Sequence, residues 1–465
     1  MAKNTKKAKV QVGDEPIYDA AVLGKPKMMV LGVQHMFAMF GATVLVPALT
    51  GLSVSATLLF AGLGTLLFHL ITKGTVPAFL GSSFAFLGGY FAISGLAGTQ
   101  GYEEMTSSDL LPYACFGVAC AGLVYFVIAG LIKAFGVGKV MKFFPPIVTG
   151  PIIIAIGLTL SSSAIANASA NWFVAVCAIA IVVGCNIWGK GMVKIIPIML
   201  GVLGSAGIAA IIHKCTDIDV LDPAKIQAVY DASWVGLPFD FSDTAISIFT
   251  SGNLDTSLLI TAIICIVPIS LATVVEHIGD VCAISSTVNK NYLKNPGLHR
   301  TMIGDGIATI LASLFGAPAN TTYGENTGVL SLSKVYDPKV VRIAAALAVF
   351  FSFSPKFAAL VSLMPTATIG GVSLVLYGMI SAVGVRNIVE NKVDFAKSRN
   401  VIVAAIILVL AIGITYSTDG AIVFNLGTIS LSFSGLAVAA IVGITLNAVL
   451  PDKDYVFNED EVVAE

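Results

Sequence analysis

The chain has 465 residues, of which 56% are hydrophobic and only 11% are charged. Soluble domains carry about 25% charged residues, so this sequence holds too little charge to cover the surface of a soluble protein of its size. The composition excludes a soluble domain and predicts an all-α polytopic membrane protein whose main partner is the lipid bilayer. The formal net charge of −1 does not point to nucleic acid, and no nucleic-acid partner is expected.

Fourteen apolar windows follow one another along the chain, each about 20 residues long, the length that crosses a bilayer. They centre near residues 37, 62, 86, 122, 153, 179, 203, 268, 308, 328, 349, 373, 407 and 441. With a cytoplasmic N-terminus, all of the 26 Lys and Arg residues except Lys214, Lys225 and Lys356 fall on the cytoplasmic side. Since cytoplasmic loops concentrate basic residues, the sequence predicts a multi-pass protein of the cell membrane with both termini in the cytoplasm.

The two halves of the predicted membrane region resemble each other. Three pairs of segments match in the same order: QH (34–35) with EH (276–277), GSSFAF (81–86) with GENTGV (324–329), and IVTGPIIIAIGL (147–158) with ATIGGVSLVLYG (367–378). Because seven spans per copy is an odd number, the second copy must insert upside down. Inverted repeats are typical of secondary transporters. The sequence therefore predicts a 7+7 inverted repeat, with chance similarity between Gly-rich apolar helices as the alternative.

The third and tenth spans are poor candidates for continuous helices. The third contains Pro77 and Gly81, and the tenth contains Pro318, Gly324 and Gly328. Pro removes a helix donor and Gly permits extended or left-handed backbone. Irregular backbone at membrane depth lines a cavity or is buried in protein, and matched breaks in two repeats point to a binding site. The alternative is a pair of short loops that end ordinary helices.

Six ionisable residues lie within the apolar spans: His35, Glu276, His277, Asp280, Asp305 and Glu325. A charge at the bilayer centre costs ~2.5–3.5 kcal/mol on insertion scales, so each is a functional candidate. Glu276 and Asp280 are four residues apart and share one helix face, while Glu325 lies in the tenth-span break. Such an acceptor-rich pocket suits a ligand with several N–H donors, and it suits a proton. Helix-to-helix hydrogen bonding is the alternative for Asp280 and Asp305, as packing is for His35 and His277.

Catalytic chemistry has no support in the sequence. It contains no His-rich metal cluster, nucleophile motif or nucleotide-binding loop, and its seven cysteines are irregularly spaced. We therefore predict no enzyme activity, no metal site and no cofactor. The expected coupling ion is a proton, with sodium as the alternative.

Five segments carry a family resemblance: QHMFAMFGATVLVP (34–47), PAFLGSSFAF (77–86), VVEHIGD (274–280), NPGLHRTM (295–302) and NTTYGENTGVLSLSKVY (320–336). They resemble the bacterial uracil permeases of the nucleobase–ascorbate transporter family, also called nucleobase–cation symporter 2, and the similarity runs from residue 27 to residue 450. The resemblance implies fourteen helices in an inverted repeat, short strands in the broken third and tenth spans, a homodimer, and proton-coupled uptake.

The resemblance also implies a division of the chain. Its parts are a cytoplasmic N-terminal tail (1–26), a substrate-binding core domain (27–139 and 256–362), a gate and dimerisation domain (140–213 and 363–450), an extracellular loop (214–255) and a cytoplasmic C-terminal tail (451–465).

Site residues follow from the matching positions. The resemblance implies that Glu276 and Glu325 hydrogen-bond the uracil ring, and that Gly324 and Phe84 supply backbone amides or stacking. It places Ser83, Tyr323 and Tyr377 along the pocket. The residues implied in proton coupling are Glu276, Asp280, His35 and Asp305, with His35 in the polar network around Glu276.

The sequence departs from the uracil permease pattern at two acids. Asp280 stands where that pattern has His, and Asp305 stands where it has Asn; purine-transporting relatives carry acids at both positions. Those relatives, however, read Gln-Asn-x-Gly where this chain has Glu325-Asn326-Thr-Gly328. Proton-coupled uracil uptake by alternating access is therefore the leading hypothesis. The alternatives are a proton-coupled xanthine or purine permease of the same family and, from a different class, a passive channel.

Overall fold

The computed structural model describes residues 12–13, 15–99, 102–216, 220–250, 252, 254–418, 420–426, 429–453, 455 and 457. Within these residues the protein is mainly helical. The helices up to residue 250 are α1 (Lys25–Thr50), α2 (Val54–Ile71), α3 (Leu87–Ser94), α4 (Ser107–Phe135), α5 (Val137–Met141), α6 (Pro146–Ala168), α7 (Trp172–Trp188), α8 (Met192–Ile195), α9 (Pro197–Cys215), α10 (Pro223–Asp231) and α11 (Ser247–Thr250).

The remaining helices are α12 (Thr256–Ile266), α13 (Ser270–Val288), α14 (Leu298–Leu314), α15 (Gly324–Ser333), α16 (Pro338–Ser352), α17 (Pro355–Ser362), α18 (Thr366–Glu390), α19 (Ser398–Thr415) and α20 (Gly435–Val449). Four short strands are β1 (Leu80–Ser82), β2 (Asn320–Thr322), β3 (Ala421–Leu426) and β4 (Ile429–Ser434).

Many of these helices have the length and composition of membrane spans. Eight helical stretches of the described chain qualify; one of them joins α12 and α13 across the 3₁₀ turn Val267–Ile269, where Pro268 lacks an N–H. A ninth results if α16 and α17, which are bent by 92°, form one span. Since each helix satisfies its own backbone, such stretches can face lipid. The chain is therefore an integral membrane protein with several spans.

Strands β1 and β2 lie in the two segments whose sequences break the helical pattern. They pair antiparallel, with Leu80 opposite Thr322, Gly81 opposite Thr321, and Ser82 opposite Asn320. All six residues are buried. Each strand runs into a short helix, β1 into α3 and β2 into α15. The two breaks therefore meet inside the protein and satisfy each other's backbone groups, which membrane depth requires.

Threonine side chains hold each strand to the preceding long helix. The N–H of Leu80 in β1 donates to Thr65 Oγ1 of α2 at 2.9 Å. Thr309 Oγ1 of α14 donates to the carbonyl of Asn320 in β2 at 2.7 Å. Both hydroxyls are buried, so these bonds fix the strands at a set height against α2 and α14.

The long helices pack in two groups. In the first group, α2 packs on α14 and α16, α4 packs on α12 and α14, and α1 packs on α16. In the second, α6 packs on α18 and α19, α7 packs on α9 and α18, and α19 packs on α20. Contacts between the groups, such as α1 with α9, are less extensive. Helix α13 contacts α15 and β2, and α15 contacts α1, so the first group carries the broken spans.

A hairpin that the sequence analysis did not predict lies between α19 and α20. Strands β3 and β4 pair antiparallel from Ala421 opposite Ser434 to Leu426 opposite Ile429. β4 packs along α12 and touches α3. The hairpin therefore connects the second helix group to the first.

Candidate functional site

Glu276 and Asp280 occupy one face of α13. Both are half-buried, and Gly279 between them is exposed, so this face opens away from the packed interior. Thr322, the last residue of β2, donates its hydroxyl to Asp280 Oδ2 at 2.8 Å. The strand thus fixes one carboxylate oxygen of Asp280.

The beginning of α15 lies against this face. Gly324 is the first residue of α15 and is exposed, and a Cβ added to it would lie 3.9 Å from Asp280 Oδ1. Glu325 follows it, is half-buried, and lies near enough to Glu276 for their charges to interact. Within the described structure, no side-chain hydrogen bond caps the start of α15. The first-turn N–H groups of a helix lack partners within the helix, so the site combines backbone donors with carboxylate acceptors.

Ser83 and Phe84 lie between β1 and α3, in the broken third span. The N–H of Ser83 donates to the carbonyl of Ala319 at 2.8 Å, and its buried Oγ has no hydrogen-bond partner among the described residues. Phe84 is half-buried and packs on the main hydrophobic cluster. A half-buried aromatic ring at this break can stack on a small planar ligand.

Tyr323 supports the strand pair. Its hydroxyl donates to the carbonyl of Ser82 at 2.9 Å and accepts from Thr43 Oγ1 at 3.3 Å. Its ring lies against Gly81, where an added Cβ would be 2.5 Å from the ring atoms. The hydroxyl is therefore engaged within the protein, and a direct contact between Tyr323 and a ligand stays a prediction.

Tyr377 lies in the second helix group. It is buried on α18, and its hydroxyl is beside those of Ser163 and Ser373. Within the described part of the chain, no hydrogen bond or ion pair joins Tyr377 to Glu276 or Glu325. Its role in the pocket also stays a prediction.

His35 lies beside Asn326, the residue that follows Glu325 in the sequence. Asn326 Nδ2 lies 3.2 Å from His35 Nδ1 and donates to the His35 carbonyl at 3.1 Å. His35 is fully buried, and its Nε2 has no hydrogen-bond partner in the described structure. The expected network joined His35 to Glu276; the hydrogen bonds seen join it instead to Asn326, so the link with Glu276 stays a prediction.

Two of the residues that position the site, Asn326 and Thr322, were missed as site residues. Both lie in the polar run NTTYGEN (320–326), in an otherwise apolar span. That concentration of amide and hydroxyl side chains was the available signal, since polar groups at membrane depth need partners.

His277 and Asp305 form a second polar pair behind Glu276. His277 Nδ1 lies 3.0 Å from Asp305 Oδ2, and both side chains are fully buried. Tyr125 donates its hydroxyl to Thr273 Oγ1 at 2.7 Å and lies near enough to Asp305 and Glu276 for electrostatic interaction. Buried ionisable groups in a membrane protein are typical of ion and proton pathways.

The chemistry available at this site is binding and proton exchange. Carboxylates from Glu276 and Glu325 accept hydrogen bonds, and the start of α15 donates them. Among the described residues, no group of three or more His, Cys, Asp or Glu is arranged to hold a metal ion.

Comparison with known proteins identifies the family. A family model described as Permease family (Xan_ur_permease) matches residues 26–420. The chain belongs to this permease family. The match confirms the resemblance seen in the sequence, and it makes the protein a transporter rather than an enzyme.

Relatives named uracil permease match over nearly the whole chain. The uracil permease of Bacillus subtilis (strain 168) is 39% identical over 435 residues, covering 90% of this chain and 91% of the relative. The uracil permease of Escherichia coli (strain K12) is 35% identical over 430 residues, covering 90% of each.

A solved structure shares the fold. The transmembrane domain of the cyanobacterial bicarbonate transporter BicA superposes with a TM-score of 0.56 at 13% sequence identity, covering 93% of this chain and 99% of that one. At this identity the likeness concerns architecture alone.

Proposed function

We propose that this permease takes up uracil together with protons across the cell membrane. The observation that carries the proposal is the placement of two half-buried carboxyl groups, Glu276 and Glu325, beside the uncapped start of α15. Relatives named uracil permease at 35–39% identity support the choice of substrate.

Uracil complements this arrangement. Its ring presents N–H donors and carbonyl acceptors in one plane. The donors bond the carboxylates of Glu276 and Glu325, the carbonyls accept from the first N–H groups of α15 near Gly324, and Phe84 covers one face. Ser83 lies in the same break, and its buried Oγ has no hydrogen-bond partner among the described residues.

A proton takes part because the site holds several neighbouring carboxyl groups, and ionising all of them at once is unfavourable. Glu276 interacts electrostatically with Asp305 and Glu325, and Asp280 interacts with Glu276. Like charges in a low-dielectric site repel strongly. Protonation of the Glu276–Asp280 face relieves this repulsion and prepares the site for uracil, with Asp305 and His35 as supporting groups.

We further propose fourteen spans arranged as a 7+7 inverted repeat. Each predicted span centre falls in or directly beside a helix of the described chain. Helix packing supports the repeat because each contact has an equivalent contact when the two halves are interchanged. The contact of α4 with α14 is equivalent to that of α16 with α2. The contact of α6 with α19 is equivalent to that of α18 with α7, and the contact of α7 with α9 to that of α19 with α20. The Thr65 and Thr309 bonds to β1 and β2 are matched in the same way.

The two helix groups correspond to a core and a gate domain in this proposal. The first group carries Glu276 and Glu325, and its movement against the second group exposes the site to alternate sides of the membrane. Cytoplasmic termini and a homodimer formed through the gate domain complete the proposed arrangement.

The second candidate function is purine transport, favoured by one observation. Asp280 and Asp305 are acids at positions where purine-transporting relatives carry acids, and Asp280 lies beside Gly324. Competition of labelled uracil uptake by unlabelled uracil, xanthine and adenine separates the two candidates.

The test is uptake of radiolabelled uracil into proteoliposomes with an imposed inward proton gradient. Accumulation above equilibrium that collapses with a protonophore is the expected result. Equilibration without accumulation indicates a passive channel, and absence of uracil uptake with uptake of xanthine assigns a purine permease.

A further inference from the structure

A cavity in the first helix group shares no lining residue with the proposed uracil site and has the features of a ligand site. It measures about 460 Å³ and is lined by Leu66, His69, Leu70, Lys73, Gly74 and Arg342. It lies where the end of α2 meets the beginning of α16. None of the six lining residues is acidic.

The cavity presents unpaired positive charge. Arg342 Nε donates to His69 Nδ1 and Nη2 donates to the Gly74 carbonyl, each at 3.4 Å, and among the described residues Nη1 has no hydrogen-bond partner. Among the residues that the structure describes, no ion pair joins Arg342 or Lys73 to a carboxylate. Two cations without anionic partners at one cavity indicate an anionic ligand.

The guanidinium is held in place by surrounding structure. His69 is buried and its Nε2 bonds the carbonyl of Ala78 at 2.9 Å, which fixes the ring that receives Arg342. Gly74 has φ +65°, and a Cβ there would overlap the guanidinium. The cavity is therefore built around the Arg342 side chain and differs from an exposed arginine that moves freely.

Charge and apolar surface are segregated along α2. Leu66 and Leu70 line the part nearer the helix middle, whereas Lys73 and Gly74 lie just beyond its end. These positions span ~10 Å at 1.5 Å per residue. Leu70 is 76% exposed, so its side chain faces the surroundings of the protein. A free anion needs no such apolar wall, but a phospholipid matches it with its headgroup and acyl chains.

We propose that this cavity binds the phosphate headgroup of an anionic phospholipid from the cytoplasmic leaflet, with Arg342 and Lys73 as its phosphate ligands. The inference rests on the topology of the proposed function, which places the end of α2 at the cytoplasmic surface. Anionic lipids concentrate in that leaflet and attract Lys and Arg near the membrane.

The test measures lipid binding to the purified full-length protein by native mass spectrometry. Phosphatidylglycerol and phosphatidylcholine with the same acyl chains are titrated onto wild type, Lys73→Gln, Arg342→Gln and Lys392→Gln. Lys392 is the matched control because, like Lys73, it is exposed and has a positive φ just beyond a helix on the same proposed side of the membrane.

We expect wild type to prefer phosphatidylglycerol, and each cavity variant to bind it about five-fold more weakly, the effect of losing one cationic contact with an anionic membrane lipid. Lys392→Gln should bind as wild type does. Because Arg342 also braces His69, its substitution can lower stability; Lys73→Gln, whose side chain has no such role, decides the test by itself.

Unchanged phosphatidylglycerol binding by Lys73→Gln overturns the proposal. So does displacement of the lipid by millimolar inorganic phosphate, which would assign the cavity to a free anion. The measurement uses no uracil, so its failure is distinguishable from failure of the transport assay.

Discussion

In the proposed function, the side chain of Glu276 binds both the ligand and a proton. It lies half-buried on α13 among Asp280, Glu325 and Asp305, so its charge is partly removed from water. Desolvation strengthens hydrogen bonds to a carboxylate and raises the free-energy cost of a charge that has no partner. In the proposed function, this position therefore favours both tight binding of N–H donors and exchange of protons.

We predict that Glu276→Gln abolishes proton-driven accumulation of uracil. An amide cannot cycle a proton, and loss of a charged acceptor removes about 1.5–3 kcal/mol, which corresponds to roughly 10- to 160-fold weaker binding. Radiolabelled uptake into proteoliposomes and equilibrium binding of uracil measure the two effects separately.

Glu390→Gln is the matched control for this substitution. Glu390 is 59% exposed on α18 and pairs with Arg386 one turn away, and exposed pairs of this kind contribute about 0–1 kcal/mol. Its variant should transport as wild type does. Near-normal accumulation by Glu276→Gln would remove Glu276 from the mechanism.

At the scale of elements, the pair of broken spans organises the site. β1 and β2 are each only three residues long, yet they join segments about 240 residues apart. The ring of Tyr323 packs over Gly81, and its hydroxyl bonds the next residue, Ser82. Two strands this short are stable because buried side chains of α1, α2 and α14 hold them.

Gly81→Ala should disrupt this pair and the site with it. The new methyl group would lie 2.5 Å from the Tyr323 ring and 2.8 Å from Thr43 Oγ1, and overpacking of this kind costs about 1–3 kcal/mol. We expect a lower thermal unfolding temperature and weaker uracil binding, measured on the same detergent-purified protein.

Gly378→Ala serves as the comparison variant. Gly378 lies in α18 with open space around the position of an added Cβ, and Ala is the better helix former by about 1 kcal/mol. Its stability should equal or exceed that of wild type. If Gly81→Ala unfolds and binds uracil as wild type does, the strand pair does not constrain the site.

At the scale of the whole molecule, the prediction to test is the orientation of the chain in the membrane. Cys215 is the exposed one among the cysteines of the described chain and ends α9, before the polar stretch predicted to be extracellular. Lys392 is exposed beyond α18, on the predicted cytoplasmic side. These positions test the charge-based topology directly.

A membrane-impermeant maleimide should label Cys215 in intact cells, and Cys215→Ser should remove that labelling. In the Cys215→Ser background, Lys392→Cys should react only after the membrane is permeabilised. Labelling of Lys392→Cys in intact cells would contradict the proposed topology, whatever the outcome of the transport assays.

Much of this protein could be predicted from local sequence. Its apolar composition identified a membrane protein, the Pro and Gly residues in 77–89 and 318–328 marked the segments that form β1 and β2, and the acids in apolar spans marked Glu276, Asp280 and Glu325 as candidates. Each of these inferences depends on the cost of placing one residue type in lipid or in a helix, and that cost is a local quantity.

Other features were decided by the tertiary structure alone. Asn326 bonds His35 across 291 residues of sequence, and Thr322 bonds Asp280 across 42. The β3–β4 hairpin and the cavity at Arg342 also depend on which helices become neighbours. A sequence pattern shows which polar groups would be costly to leave unpaired in lipid. Which partner satisfies such a group depends on how the helices pack, because many distant residues offer equivalent donors and acceptors.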